Sequence, residues 1–254
     1  MIIDKPKKAD MPALRSLWRE AFGDGDAFLD SFFSIAYSPE RSRVAIIDGA
    51  VAGALYWLDC ECNSKKIAYI YAVATAKAQR GKGVCTALMR NTHAQLRTLG
   101  YVGAILVPGE PSLFEFYKAL DYTVCSSVDE ISVCAAALPC RITKIDKRVY
   151  ERLRRGRLAD GDVLQERESI DFLATFTELY EGEDFILAAR RDGNTLVGAE
   201  LLGNASPDNL AAITSSLGAK RATFRTPGVA KPFAMYLPLD TSSIYPKYFG
   251  IAFD

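Results

Sequence analysis

Ile67 to Val73 is an apolar, aromatic run that leads through Ala74-Thr75 into a basic glycine turn, Gln79-Arg80-Gly81-Lys82-Gly83. Good helix formers follow, with Val84, Leu88 and Leu96 on one helical face. The order is strand, loop, helix. Two glycines one residue apart leave backbone N–H groups uncovered by any Cβ, so an anion can come close to the main chain. The helix that starts near Gly83 adds its unpaired first-turn N–H groups and the positive end of its dipole. Arg80 and Lys82 add full charges. A pyrophosphate suits such a loop, although a glycine pair beside cations is also what an ordinary turn looks like. A P-loop needs glycine where Ala76 stands and Ser or Thr where Gly83 stands, so nucleotide hydrolysis is not indicated. A dinucleotide fingerprint starting at Gly81 needs a third small residue at Thr86 and an early βαβ position, and fits poorly.

Val73-Ala74-Thr75, a four-residue gap, Arg80-Gly81-Lys82-Gly83-Val84 and then Thr86-Ala87-Leu88-Met89 resemble the acetyl-CoA signature of the GNAT acetyltransferases. The family's R/Q-x-x-G-x-G/A pattern falls on Arg80, Gly83 and Cys85, the cysteine replacing the usual Gly or Ala. Glu110 to Tyr122 is similar to the family's short helix carrying Phe-Tyr before a Leu-Gly-Phe turn, with Asp121 for the glycine and Tyr122 for the phenylalanine. Asp tolerates a left-handed turn better than most residues. The resemblance implies acetyl-CoA as co-substrate, held at its pyrophosphate by Arg80, Gly81, Lys82, Gly83, Val84, Cys85 and Thr86, and at its pantetheine arm by the splayed strand end Val73, Ala74 and Thr75. It also implies that the Tyr117 hydroxyl protonates the departing sulfur. Read without the family, Tyr117 is equally a ring packed among Leu113, Phe114, Phe116 and Leu120.

A chain of 254 residues with 49% hydrophobic composition can bury a large core and is longer than one such module needs. Acidic and basic side chains balance at 31 each, evenly in both halves, so neither half reads as a nucleic-acid binder. The first twelve residues are charged and no apolar run approaches the ~18 residues of a membrane span, so the expectation is a cytoplasmic protein without a membrane partner. Six scattered cysteines without a CxxC pair, and the single histidine His93, give no basis for a metal site or disulfides.

Ile2-Ile3 opens a short strand. Asp10 can cap a helix bearing Leu14, Leu17, Trp18 and Phe22, and Asp26 starts another bearing Phe28, Leu29, Phe32 and Phe33. These aromatics read first as core. Asp48-Gly49 sets a hairpin between residues 43–47 and 51–58, with 67–73 as the next strand of an antiparallel meander. The spacing predicts a helix over 83–99 stopped by Gly100, a strand over 102–107, the Tyr117 helix, and strands over 123–126 and 131–137. From Cys140 the order begins again: strand 142–145, helices 149–158 and 169–180, hairpin 185–189 and 196–202, helix 208–217, and strands 222–225, 233–237 and 248–253.

The fold class is therefore α+β, a mixed, mainly antiparallel sheet flanked by helices over residues 1–139, followed over 140–254 by what resembles a second, degenerate GNAT copy. The copy lacks cations between Leu202 and Pro207 and is not expected to bind CoA. Its arginines 148, 152, 154, 155 and 157 read as a solvated helix face.

Transfer from a thioester to an amine needs a neutral nucleophile, a polarised carbonyl and a proton for the thiolate. Glu110, Asp59 and Glu61 are the candidate bases. His93 shares helical spacing with Arg90 and Arg97 and is placed on the solvated face, without a catalytic role; Cys85 is read as packing. In some multi-domain members of the family the terminal carboxylate enters the active site, which makes Asp254 a further candidate beside the reading of 248–254 as an ordinary last strand. The leading expectation is an N-acetyltransferase acting on a small-molecule or peptide amine, of unknown oligomeric state. The alternative is a non-catalytic acyl-CoA-binding regulatory protein.

Overall fold

The computed structural model describes residues 1–241 and 244–253. Its chain forms two compact units, Met1–Thr123 with Tyr236–Ile244 and Val124–Met235 with Tyr245–Asp254. Both are α+β, built on a mixed, mainly antiparallel sheet.

The first unit opens with β1 (Ile2–Asp4), α1 (Met11–Phe22) and α2 (Asp26–Ile35). Leu14, Leu17 and Trp18 recur at helical spacing and bury one face of α1, which Gly23 ends in the left-handed conformation, φ 78°. β2 (Ser42–Ile47) and β3 (Ala50–Cys62) meet at Asp48-Gly49, whose φ values of 50° and 79° match the right-handed twist of a hairpin. Then come β4 (Lys65–Thr75), α3 (Val84–Thr98), β5 (Gly103–Leu106) and α4 (Ser112–Lys118). Strands β1 to β4 pair antiparallel in sequence order, and β5 joins β4 in parallel.

The second unit repeats this plan. β7 (Ile142–Lys144) is followed by α5 (Lys147–Arg157), α6 (Glu168–Leu173), β8 (Glu178–Gly182), β9 (Phe185–Asp192), β10 (Thr195–Gly203), α7 (Pro207–Ser216) and β11 (Arg221–Gly228). The pairing is antiparallel from β7 to β10, and β11 lies parallel to β10.

The division falls at 123/124 rather than 139/140, because two strands leave the halves that encode them. β6 (Thr123–Cys134) pairs antiparallel with β11 from Ser127–Gly228 to Cys134–Arg221. The end of β12 (Lys231–Pro238) returns to the first unit, where Leu239 N–H donates to Val102 O (2.8 Å) and Arg97 Nε donates to Leu239 O (3.0 Å). Gly103 accommodates this return, since a Cβ there would overlap the Tyr236 ring. β6 is also unbroken where two strands are expected. Asp129 stays in the ladder because its carboxylate accepts the N–H groups of Val229 and Ala230 in the β11–β12 turn, and Glu130 pairs with Lys231.

The helix expected over 169–180 ends at Leu173. Thr175 and Thr177 hydroxyls donate to the carbonyls of Phe172 and Leu173, so side chains satisfy the last turn and the chain leaves as β8. Residues 248–253 are not a ladder strand. They form a buried segment with one bridge, Tyr248 to Asp162, and Ile251 is held through both backbone groups by the Gln165 side-chain amide. Asp254 lies outside the described residues.

Arg154 also departs from the expected solvated face. Arg148, Arg152, Arg155 and Arg157 are exposed, but Arg154 is fully buried and donates Nε (2.7 Å) and Nη2 (2.9 Å) to Glu200. The hydroxyls of Tyr150 (2.9 Å) and Tyr248 (3.0 Å) complete four bonds to that carboxylate, and Gly250 packs so close that a Cβ would strike it. Among the described residues no helix is long and apolar enough to cross a membrane.

Removing one member of a buried, hydrogen-bonded ion pair strands the other, at about 3–5 kcal/mol. Glu200→Leu should lose that much stability in urea unfolding at pH 7, whereas Tyr248→Phe, which removes one donor, should lose about 1–2 kcal/mol. A Glu200→Leu protein as stable as the parent would show that the cluster does not hold the unit together.

Candidate active site

β4 carries an extra residue relative to β3. Tyr71 faces Tyr56 and Ala74 faces Ala54, so two residues of β4, Ala72 and Val73, stand opposite the single Leu55 of β3. Ala72 absorbs the bulge in the left-handed region, φ 50°. The parallel ladder to β5 runs only from Ile67–Gly103 to Tyr69–Ile105, while β4 continues to Thr75. Val73, Ala74 and Thr75 thus extend past the β5 ladder, although Ala74, Thr75 and Ala76 remain bonded toward β3.

The loop then turns through a 3₁₀ segment, Lys77–Gln79, and the Lys77 N–H is tied to Glu20 at 2.7 Å. Gly81 (φ 75°) and Gly83 (φ 77°) are both left-handed, and nothing lies within 4 Å of where a Cβ would stand on either. α3 begins at Val84, and Ala87 N–H donates to Gly83 O. Among the described residues, the N–H groups of Gly81, Lys82, Gly83, Val84, Cys85 and Thr86 donate to no protein acceptor. Arg80 Nε reaches Thr75 O (3.2 Å), and Lys82 Nζ reaches Ala78 O (2.8 Å), so both cations curl over their own loop. Val84 is buried, and close packing of α3 on β3 requires Gly53, where a Cβ would sit 3.3 Å from Val84 Cγ1.

Thr75 Oγ1 is buried and makes no hydrogen bond of ordinary geometry. The Cys85 thiol stands beside it. Burial pushes that thiol up to about 11, against a smaller opposing pull from Thr75, so Cys85 stays protonated and is no nucleophile.

α4 carries Tyr117. It is the one buried residue of α4, packs edge-on to Phe116 (5.2 Å) and Tyr122 (5.9 Å), and makes no hydrogen bond through its hydroxyl among the described residues. Burial raises its phenol above the ordinary value, with Cys85 adding to the shift. Asp121 takes the left-handed position after the helix (φ 67°), where glycine is usual, and Tyr122 N–H bonds back to Tyr117 O at 3.1 Å.

His93 is buried, not solvated. Its Nε2 lies 2.8 Å from the hydroxyl of the fully buried Tyr122. Desolvation, then repulsion from Arg97, lowers its pKa to about 4. Spacing within α3 could not reveal a partner 29 residues away.

The carboxylates are less well placed. Asp59 faces Ala68 at the opposite end of β4 from Thr75, where it binds the Tyr101 hydroxyl, Arg41 (3.3 Å) and Lys66 (3.5 Å). Glu61 is exposed opposite Lys66. Glu110 is exposed in the loop after β5, 3.5 Å from the Ser112 hydroxyl. The α1–α2 aromatics form core around Trp18, which contacts Phe32 (4.6 Å), Tyr56 (5.5 Å) and Tyr71 (5.8 Å) and donates Nε1 to Asp24 (2.8 Å). Ala72 is the site residue that carries no sequence signal, since nothing marks an alanine for a left-handed backbone.

A family model described as an acetyltransferase (GNAT) domain matches residues 3–125. Among solved structures, a conserved Enterococcus faecalis protein described as a probable N-acyltransferase shares 15% identity, with a TM-score of 0.74 over 97% of this chain and 75% of its own. A GCN5-related N-acetyltransferase from Anabaena variabilis gives 14% and 0.72 over 94% and 73%. Eis1 from Mycobacterium abscessus gives 13% and 0.68 over 96% and 75%. At these identities the similarity is one of fold. No curated protein matches the chain.

Because the unfolded chain protonates His93 near pH 6.5 and the folded chain only near 4, the unfolded state binds more protons between those values. Stability is therefore fully present above about 6.5 and is lost as the pH falls toward 4, by about 3 kcal/mol in all. Urea unfolding at pH 7.0 and 4.5 should show a loss in the parent that His93→Gln largely lacks. Equal losses in both proteins would place the acid sensitivity elsewhere.

Proposed function

We propose that this chain, whose residues 3–125 match the GNAT acetyltransferase domain model, is a cytoplasmic N-acetyltransferase that moves the acetyl group of acetyl-CoA directly onto an amine of a small molecule or peptide. The observation that carries this reading is that the first unit combines an uncovered glycine loop opening α3 with the buried Tyr117 of α4, whose hydroxyl has no partner of its own among the described residues.

Acetyl-CoA supplies an activated thioester. The unpaired N–H groups from Gly81 to Thr86, with the dipole of α3, suit its pyrophosphate, and Arg80 and Lys82 are within their own loop's reach of the same charge. Val73, Ala74 and Thr75 offer backbone edge beyond the β5 ladder to the amides of the pantetheine arm. The open space at Gly81 and Gly83 leaves the loop amides accessible to such a ligand. Tyr117 gives its phenolic proton to the departing thiolate; burial keeps the resting phenol protonated and also makes it a weaker acid, so the transfer relies on its placement. The amine loses its proton to water or to Glu110, because Asp59 is committed to its own ion pairs. The second unit, from Val124, serves as a degenerate copy without cofactor, consistent with the absence of cations from Leu202 to Pro207.

Gly83→Val should abolish acetyl-CoA binding in calorimetry while the protein stays folded, because valine is strained at φ 77° and would cover the amides. Parent-like binding would move the site elsewhere. Tyr117→Phe should lower kcat on the order of 100-fold with little change in acetyl-CoA affinity, measured as free thiol released with a panel of primary amines. A parent with tight CoA binding and no turnover over that panel would instead identify a non-catalytic acyl-CoA-binding protein.

A further inference from the structure

The single histidine of the chain and a tyrosine that stands where the resembled motif has phenylalanine are bonded to each other behind Tyr117, at 2.8 Å. We propose that His93 and Tyr122 are positioning residues for transfer, a hydrogen-bonded pair that clamps the ring of Tyr117 against α3 and fixes where its hydroxyl points. This rests on the reading of Tyr117 as proton donor.

α4 cannot set that direction by itself. It has seven residues, and Tyr117 is its one buried side chain. α3 is fifteen residues long, and its core face is anchored by Val84, Leu88, Met89 and Leu96. Cys85, Met89 and His93 follow one another at intervals of four, on one face of that helix. Tyr122 is bonded to His93 on this face, about 12 Å along the helix from Cys85 at 1.5 Å per residue. Tyr122 is thus tied to the helix that begins with the glycine loop, and its own N–H donates back to Tyr117 O at 3.1 Å. The rings of Tyr117 and Tyr122 meet edge to face at 5.9 Å, interplanar angle 66°.

Packing alone gives no reason for the polar pair. A buried hydroxyl and imidazole are tolerated when bonded to each other, yet Phe and Leu would fill the same space without any polar group to satisfy. What the bond adds is direction, because it holds the Tyr122 ring in the orientation that meets Tyr117 edge to face. His93 stays neutral here, with Arg97 as the nearby cation on α3, so the pair contributes geometry rather than charge. Neither residue reaches the reacting atoms, and both act through Tyr117.

A double-mutant cycle tests this. The readout is acetyl-CoA turnover, followed as free thiol with the best amine of the panel, or as slow hydrolysis by water if no amine is accepted. Tyr122→Phe keeps the ring contact and loses the bond to His93, and His93→Leu loses it from the other side. Each should lower kcat roughly five- to tenfold with the acetyl-CoA KM unchanged, and His93→Gln, which can still bond the Tyr122 hydroxyl, should recover to within about twofold of the parent. In a Tyr117→Phe background, all three substitutions should have no further effect. If Tyr122→Phe leaves kcat untouched, or lowers it by the same factor in both backgrounds, the pair is structural and the inference falls while Tyr117 keeps its role. If Tyr117→Phe itself leaves turnover unchanged, both the proton-donor reading and the inference fall together.

Discussion

The bulge on β4 is the constraint from which the rest of the first unit follows. One extra residue between Tyr71 and Ala74 turns the strand, ends its parallel ladder with β5 at Tyr69, and sends Val73 to Thr75 onward with only β3 beside them. The left-handed backbone of Ala72 costs about 1–2 kcal/mol in a residue with a Cβ. It persists because both flanks are fixed: the β3 ladder resumes at Ala54–Ala74, and Tyr71 packs against Trp18 in the α1 core. Strain held by good packing on either side keeps two strands apart.

The gap is useful because the glycine loop continues it. Gly81 and Gly83 turn the chain without covering it, and Gly53 lets α3 come down on β3 so that its unpaired first turn faces the same space. These features were legible in the sequence, because glycine pairs, cations and a helix-periodic run are local signals. The hairpin at Asp48-Gly49 was legible for the same reason, as was the order of elements in both halves. Elements fixed by distant partners were not. β6 reads as two strands interrupted by Asp129-Glu130 until Val229, Ala230 and Lys231 are seen to satisfy those carboxylates a hundred residues on. His93 and Arg154 look solvated on their own helices, and each is buried by a partner that α3 or α5 does not contain. The boundary between units was misplaced because strand exchange leaves no mark on local composition: the linker at 139/140 looks like a domain junction, yet the chain has already changed units at Val124.

The second unit separates the fold from the chemistry. β10 carries a one-residue bulge between Gly198 and Glu200, and its parallel ladder with β11 ends at Gly198–Phe224 while β10 continues to Gly203, as β4 outruns β5. The parting of strands therefore recurs in both units. What differs is what fills it. In the first unit the bulge is followed by small residues and an uncovered loop; in the second, Glu200 follows the bulge directly and collects Arg154, Tyr150 and Tyr248, and the segment through Phe253 is buried with it. A carboxylate placed there without donors would be intolerable in a dry interior, so the arginine of α5 and the chain's final tyrosine are required by it. Once they are present the bulge has become a structural joint, since any ligand entering it would have to displace four hydrogen bonds to one buried charge. The same backbone device thus leaves strand edge bare where small residues and glycines follow it, and becomes a closed joint where the sequence supplies an acid and the donors to satisfy it.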